Sequence, residues 1–169
     1  SELAISRQTL RRVQQKLAFD VTQAYWKAAV ARDLDRAARL MESVYLMWTT
    51  FDVEPEQMDY ETMEVIHGGY PLRPEALESA YILYTLTGQE RFKAMGWDIF
   101  QRIVRWCRTE EAFAHLEDVR TKEKADAMES FFLAETLKYA FLLFAPPETL
   151  DFHEVVFNTE AHPLRRSWE

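Results

Sequence analysis

Apolar residues recur three and four positions apart through most of this chain, and its candidate chemistry gathers where that rhythm breaks or begins. Residues 5–32 contain neither Gly nor Pro and read as one long helix. Asp33 can cap a second helix, in which Leu34, Ala37, Met41, Val44 and Trp48 follow at helical spacing. The period is lost over 50–72, a stretch with Pro55, Gly68, Gly69 and Pro71, which predicts a long loop with a short strand. A long loop in a compact helical domain is usually functional or an insertion. Pro74 suits the first position of a third helix, whose Leu77, Tyr81 and Tyr84 share a face and which Thr87-Gly88 ends. A fourth helix is predicted over 89–108, with Phe92, Trp97, Phe100, Ile103, Val104 and Cys107 as its apolar positions. Residues 109–123 read as irregular or as a short hairpin. A fifth helix is expected over 125–144, stopped by Pro146-Pro147, and Val155-Val156-Phe157 reads as a strand. The expectation is an all-α fold of antiparallel helix pairs with short β-hairpin elements in the loops. Alternating short and long connections favour an α/α toroid or solenoid over a four-helix bundle.

Composition agrees. A chain of 169 residues can bury a core, and 48% hydrophobic with 14% aromatic content excludes disorder. Only four Gly interrupt a sequence rich in good helix formers. The net charge of -8 argues against nucleic acid as a partner. It is unevenly spread, because residues 1–40 hold eight Lys/Arg against four Asp/Glu, a pattern that predicts an exposed basic helix face. No apolar run reaches the ~20 residues a membrane span needs. Cys107 is the one cysteine, so no disulfide forms within the chain, and a buried thiol is expected.

Three runs concentrate acids among residues that helices bury. In the first, Arg73-Pro74-Glu75 precedes Glu78 by one turn, so the two carboxylates share a face and repel unless a cation or hydroxyl groups lie between them. Glu75 reads either as an ordinary first-turn acid favoured by the helix dipole, or as a carboxylate kept ionised by Arg73 and backbone N–H groups, suited to act as a general base. In the second run, Glu129 and Glu135 are separated by about 240° on an ideal helix, so they do not serve one pocket together. Glu135 lies near the angular position of Phe131, which reads either as a core ring beside a solvated acid or as a sugar-stacking platform beside a carboxylate. In the third, Thr159-Glu160 reads as a strand end, or as hydroxyl and carbonyl oxygens for a hard cation such as Ca²⁺. The four histidines lack metal-ligand spacing, and no phosphate loop or Ser/Cys nucleophile motif is present.

Taken in order, Arg73-Pro74-Glu75 with Glu78-Ser79, Met128-Glu129-Ser130-Phe131-Phe132-Leu133-Ala134-Glu135-Thr136-Leu137-Lys138-Tyr139, and Phe157-Asn158-Thr159-Glu160-Ala161-His162-Pro163 resemble the C-terminal motifs of glycoside hydrolase family 47, the class I α-1,2-mannosidases. The resemblance runs from about residue 33 to 164. Residues 1–32 read as a divergent or inserted helix, and 33–169 as the C-terminal part of the family's (αα)7 barrel. Asp118-Val119-Arg120-Thr121, the short path from Pro55-Glu56 to Glu75, and the absence of Cys from Met41-Glu42-Ser43-Val44-Tyr45 resemble the ER-degradation-enhancing mannosidase-like branch.

The resemblance implies roles. Glu75 would be the general base and Glu56 a second catalytic carboxylate; Arg73, Glu78, Phe131 and Glu135 would bind the sugar. Thr159 would ligate Ca²⁺ directly, and Glu135 and Glu160 would hold its waters. The implied reaction is inverting hydrolysis of α-1,2-mannosides on high-mannose N-glycans in the ER lumen, on misfolded glycoproteins marked for degradation, with a protein disulfide isomerase as partner. An ordinary ER or Golgi processing mannosidase and a non-catalytic glycan-binding module are the alternatives. The family's general acid falls upstream of Ser1, so the chain is expected to act only together with an N-terminal part of the barrel.

Overall fold

The computed structural model describes residues 33–152 and 154–166. The helix expected over 5–32 lies outside the described residues. Four helical segments form the core, and three two-stranded antiparallel pairs extend from their connections.

Helix α1 (Leu34–Phe51) starts as its sequence dictates: the Asp33 carboxylate accepts from the Arg36 N–H at 3.1 Å. It buries Ala37, Ala38, Met41 and Trp48 and ends at Asp52, whose φ of 64° turns the chain sharply. The expected loop then contains a hairpin rather than one strand, with β1 (Gln57–Met58) paired to β2 (Val65–His67). Helix α2 (Glu75–Thr87) is central and packs against α1, against α3 (Glu90–Cys107) and against the last helix. Accordingly Ala76, Leu77, Ala80, Tyr81, Ile82 and Leu83 are buried, more than one face of a helix. Gly88, at φ 65°, closes α2 by donating its N–H to the Tyr84 carbonyl at 2.8 Å. Gly96 lets α3 approach closely, since a Cβ there would collide with Leu143 Cδ2 and lie 3.2 Å from the Ala80 methyl. The inward face of α3 is Phe92, Gly96, Ile99, Ile103 and Cys107, so Trp97 is not the core residue its spacing suggests; it is 47% exposed.

The hairpin after α3 pairs β3 (Leu116–Asp118) with β4 (Glu123–Lys124). It also delays the last helix. Ala125 N–H donates to the His115 carbonyl and His115 N–H to that of Ala127, so backbone groups expected to open a helix at 125 are engaged by the hairpin. The helix begins at Ser130, passes through a π-helical turn (Phe132–Thr136) and continues as α4 (Leu137–Phe144) before Pro146-Pro147. Strand β5 (Val155–Phe157) pairs with β6 (Pro163–Arg165) around a turn at 158–162.

Candidate active site

The bridge from β2 into α2 is the centre of the site, and its shape is fixed by buried contacts. Leu72 is fully buried with a left-handed φ of 64°, a conformation that costs about 1–3 kcal/mol in a non-glycine residue. Thr136 of the π turn donates its hydroxyl to the Leu72 carbonyl at 2.7 Å, and Tyr70 donates to the Arg73 carbonyl at 3.1 Å. Edge-on packing of the Trp48 and Tyr70 rings, 5.3 Å apart, ties the bridge to α1. Arg73 is thereby presented to Glu56, just before β1, in a bidentate pair: Nε donates to Oε2 at 2.7 Å and Nη2 to Oε1.

Glu75 is the first residue of α2, and its Oε2 is buried without a hydrogen-bond partner. Burial raises its carboxyl above the usual range, against the opposing pull of its own backbone N–H and of Arg73. The sequence predicts the opposite direction, because it assigns Arg73 to Glu75. Glu56 occupies the guanidinium instead, and desolvation wins at Glu75. The correction changes the chemistry without removing it: a carboxylate shifted toward neutrality is a stronger base.

One turn on, Glu78 Oε1 accepts from the Tyr139 hydroxyl at 2.6 Å, and burial moves this carboxyl up to about 7. Tyr139 also packs on Tyr81, at 6.1 Å, and edge-on against Phe157 of β5, at 5.8 Å. Glu135 is raised by burial and by the negative charges of Glu75 and Glu160, with Lys138 and His162 opposing. Phe131 is partly exposed at the start of the last helix, one residue before the π turn that carries Glu135. Glu129 precedes that helix, so its angular relation to Glu135 is not that of one continuous helix.

The third run is held to the same helix. Lys138 Nζ donates to the carbonyl of buried Ala161 at 2.6 Å. Asn158 Oδ1 accepts from the N–H groups of Glu160 and His162, at 3.0 and 2.8 Å, which leaves Thr159 exposed at the tip. Among the described residues no three His, Cys, Asp or Glu side chains form a metal-holding group. A cation at Thr159 would therefore take its hydroxyl, its carbonyl and water. The oxygen-only donors and the surplus negative charge that Glu75, Glu135 and Glu160 share fit Ca²⁺ held in that way.

Sequence reasoning missed Glu54. It accepts from the Trp48 indole at 2.9 Å, and burial followed by repulsion from Glu75 lifts its carboxyl to about 8. The available signal was an acid between apolar Val53 and Pro55, two residues before Glu56. The buried-thiol reading of Cys107 holds, its thiol pushed up to about 12 by burial.

Buried carboxyl groups and a carboxylate-clamped arginine thus gather around the start of α2 in a fold of packed helix pairs. The chain belongs to glycosyl hydrolase family 47, whose profile matches residues 7–166. It is 35% identical over 169 aligned residues to the human ER degradation-enhancing alpha-mannosidase-like protein 2, covering 86% of this chain and 29% of that one. It is 50% identical over 94 residues to mannosyl-oligosaccharide 1,2-alpha-mannosidase MNS1 of Arabidopsis thaliana, 56% of this chain and 17% of the relative. The solved alpha-1,2-mannosidase from Trichoderma reesei superposes with a TM-score of 0.68 at 27% identity, over 87% of this chain and 37% of that one. The fold is that of helix pairs from the family's (αα)7 barrel, with short antiparallel strand pairs. The chain thus spans well under half the length of each of these proteins.

Proposed function

We propose that residues 33–169 form the C-terminal part of the catalytic barrel of an inverting α-1,2-mannosidase that trims high-mannose N-glycans, active together with an N-terminal part of the barrel. The observation that carries this reading is the meeting of Glu56, Arg73, Glu75 and Glu78, from two separate segments, with Tyr139 of the last helix. In this reading Glu75 takes a proton from the water that attacks the anomeric carbon. The departing hydroxyl receives its proton from a carboxylic acid on the N-terminal part, roughly 6.5–9.5 Å away as inversion requires. Arg73, clamped by Glu56, and Glu78, held by Tyr139, orient sugar hydroxyls, and Phe131 offers a face to the ring. Thr159 would hold Ca²⁺ through its hydroxyl and carbonyl, with waters on Glu135 and Glu160, and the ion would supply oxygen coordination to sugar hydroxyls.

The relatives support a place in the ER lumen. The likeness to a protein named ER degradation-enhancing favours misfolded glycoproteins as substrates, with a protein disulfide isomerase as partner, over routine processing in the ER or Golgi. Among the described residues no helix is long and apolar enough to cross a membrane.

The test is mannose release from a high-mannose glycan by this chain joined to the N-terminal part of a family barrel. Glu75→Gln is expected to lower the rate about 10²–10⁴-fold, the range for a lost general base, and EDTA to abolish release. Tight glycan binding with no release by the unmodified assembly would sink the hydrolase reading in favour of a lectin.

A further inference from the structure

Three carboxylates act on the Arg73 guanidinium, and one of them holds it. Glu56 takes it in the bidentate pair, while Glu75 and Glu54 act on it from further off. Among the charges that bear on Glu54, Arg73 is the one cation, against Glu75 and Glu56. The mannosidase reading employs Glu56, Arg73 and Glu75 and leaves Glu54 without a part.

The fold sets Glu54 firmly in place. It precedes Pro55, which restricts it to extended backbone and spaces it rigidly from Glu56. Val53 and Pro55 on either side are buried, and Glu56 N–H donates to the Gly69 carbonyl at 2.7 Å. The side chain reaches α1, where its Oε2 accepts from the Trp48 indole at 2.9 Å. Trp48 stands edge-on to Tyr70, whose hydroxyl donates to the Arg73 carbonyl. Contact therefore runs from Glu54 through Trp48 and Tyr70 to the backbone that carries Arg73. Every segment around the acid brings a group: Trp48 from α1, Glu56 from its own segment, Tyr70 and Arg73 from the bridge, Glu75 from α2. Burial holds the Tyr70 hydroxyl well above its ordinary range, so it stays neutral.

The charge count decides what Glu54 does. With all three acids ionised, three negative charges share one positive charge in a part-buried space. One retained proton halves the excess. Glu54 is its place, because Glu56 is paired with the guanidinium and the Glu54 carboxyl titrates at about 8.

We propose that Glu54 is a positioning residue for Arg73: with its proton it leaves the guanidinium to Glu56, and without it a competing carboxylate loosens that clamp. The consequence for catalysis rests on the mannosidase reading, in which Arg73 orients the sugar.

The first test needs no catalysis. In the 169-residue chain labelled with ¹⁵N-tryptophan and ¹⁵N-arginine, the Trp48 indole N–H is expected to move downfield with a midpoint at about pH 8, as its acceptor gains charge. The Arg73 Nε–H, bonded to Glu56, is expected to move with the same midpoint and to lose that step in Glu54→Gln. Trp48→Phe keeps a ring in the core and removes the N–H that favours the ionised acid, so the Arg73 step is expected at higher pH. A Trp48 signal that titrates while Arg73 stays still overturns the proposal, as does silence of both. An Arg73 step that persists in Glu54→Gln belongs to another acid and overturns it too.

The second test uses the chain joined to the N-terminal part of a family barrel. The ratio of kcat/KM for Glu54→Gln over native is expected to rise roughly tenfold from pH 7 to pH 9, a comparison in which groups common to both cancel. Mannose release with a constant ratio overturns the positioning role and leaves the mannosidase reading standing. Linked Trp48 and Arg73 steps, in an assembly that releases no mannose, keep the control of the clamp and overturn the hydrolase reading.

Discussion

Glu54 accepts one indole N–H, and the pull of Arg73 on it is outweighed by burial and by repulsion from Glu75, which makes it a sensor of pH in the fold. Folded, its carboxyl titrates near 8; in an unfolded chain it titrates near 4.5. The folded state therefore binds more protons between those values, so this group's contribution to stability is fully present below about pH 4.5 and is lost as pH rises toward 8. Glu54→Gln keeps an acceptor for Trp48 and removes the titration. Its Tm is expected to exceed that of the native chain by several degrees above pH 8, on the order of 1–2 kcal/mol, with the gain gone near pH 4.5; thermal melts across that range check it. At this scale the sequence was readable where one residue acts alone, as Asp33 does in capping α1 and Gly88 in closing α2. It was not readable where two residues compete for one partner. Nothing local reveals that Glu56, seventeen positions from Arg73, takes the guanidinium that Glu75 was expected to share.

At the scale of elements, helix existence followed from apolar period and capping, but the start of the last helix did not. Its first expected residues pair with the hairpin at His115, a contact between segments that periodicity does not encode. The π turn is equally invisible, because it reflects where Thr136 must stand to reach the Leu72 carbonyl. That bond joins the last helix to the strained bridge carrying Arg73. Thr136→Val preserves shape and leaves a buried carbonyl unpaired. Urea unfolding is expected to report a loss of about 1–3 kcal/mol, and, if the proposed assembly is a mannosidase that uses Arg73, its KM is expected to rise.

For the whole molecule, the described surface includes Leu86, Trp97, Leu133, Phe141 and Phe144, each at least 41% exposed. Trp97 and Phe144 stand edge-on at 5.3 Å, with Lys93 over the Phe144 ring. Apolar exposure of this kind marks a packing surface, and in the proposed assembly neighbouring helix pairs of the barrel would cover it. Light scattering is expected to show concentration-dependent association of the chain alone, reduced by Trp97→Lys with Phe141→Lys. Tyr139 unites the two ends of this assembly: its hydroxyl holds Glu78, and its ring meets Phe157 of the strand leading to Thr159. The phenol is therefore a built-in chromophore whose near-ultraviolet absorption answers to events at either end. Titration with Ca²⁺ should give a tyrosine difference spectrum that disappears in Tyr139→Phe, and the same band should move when Glu78 changes charge near pH 7.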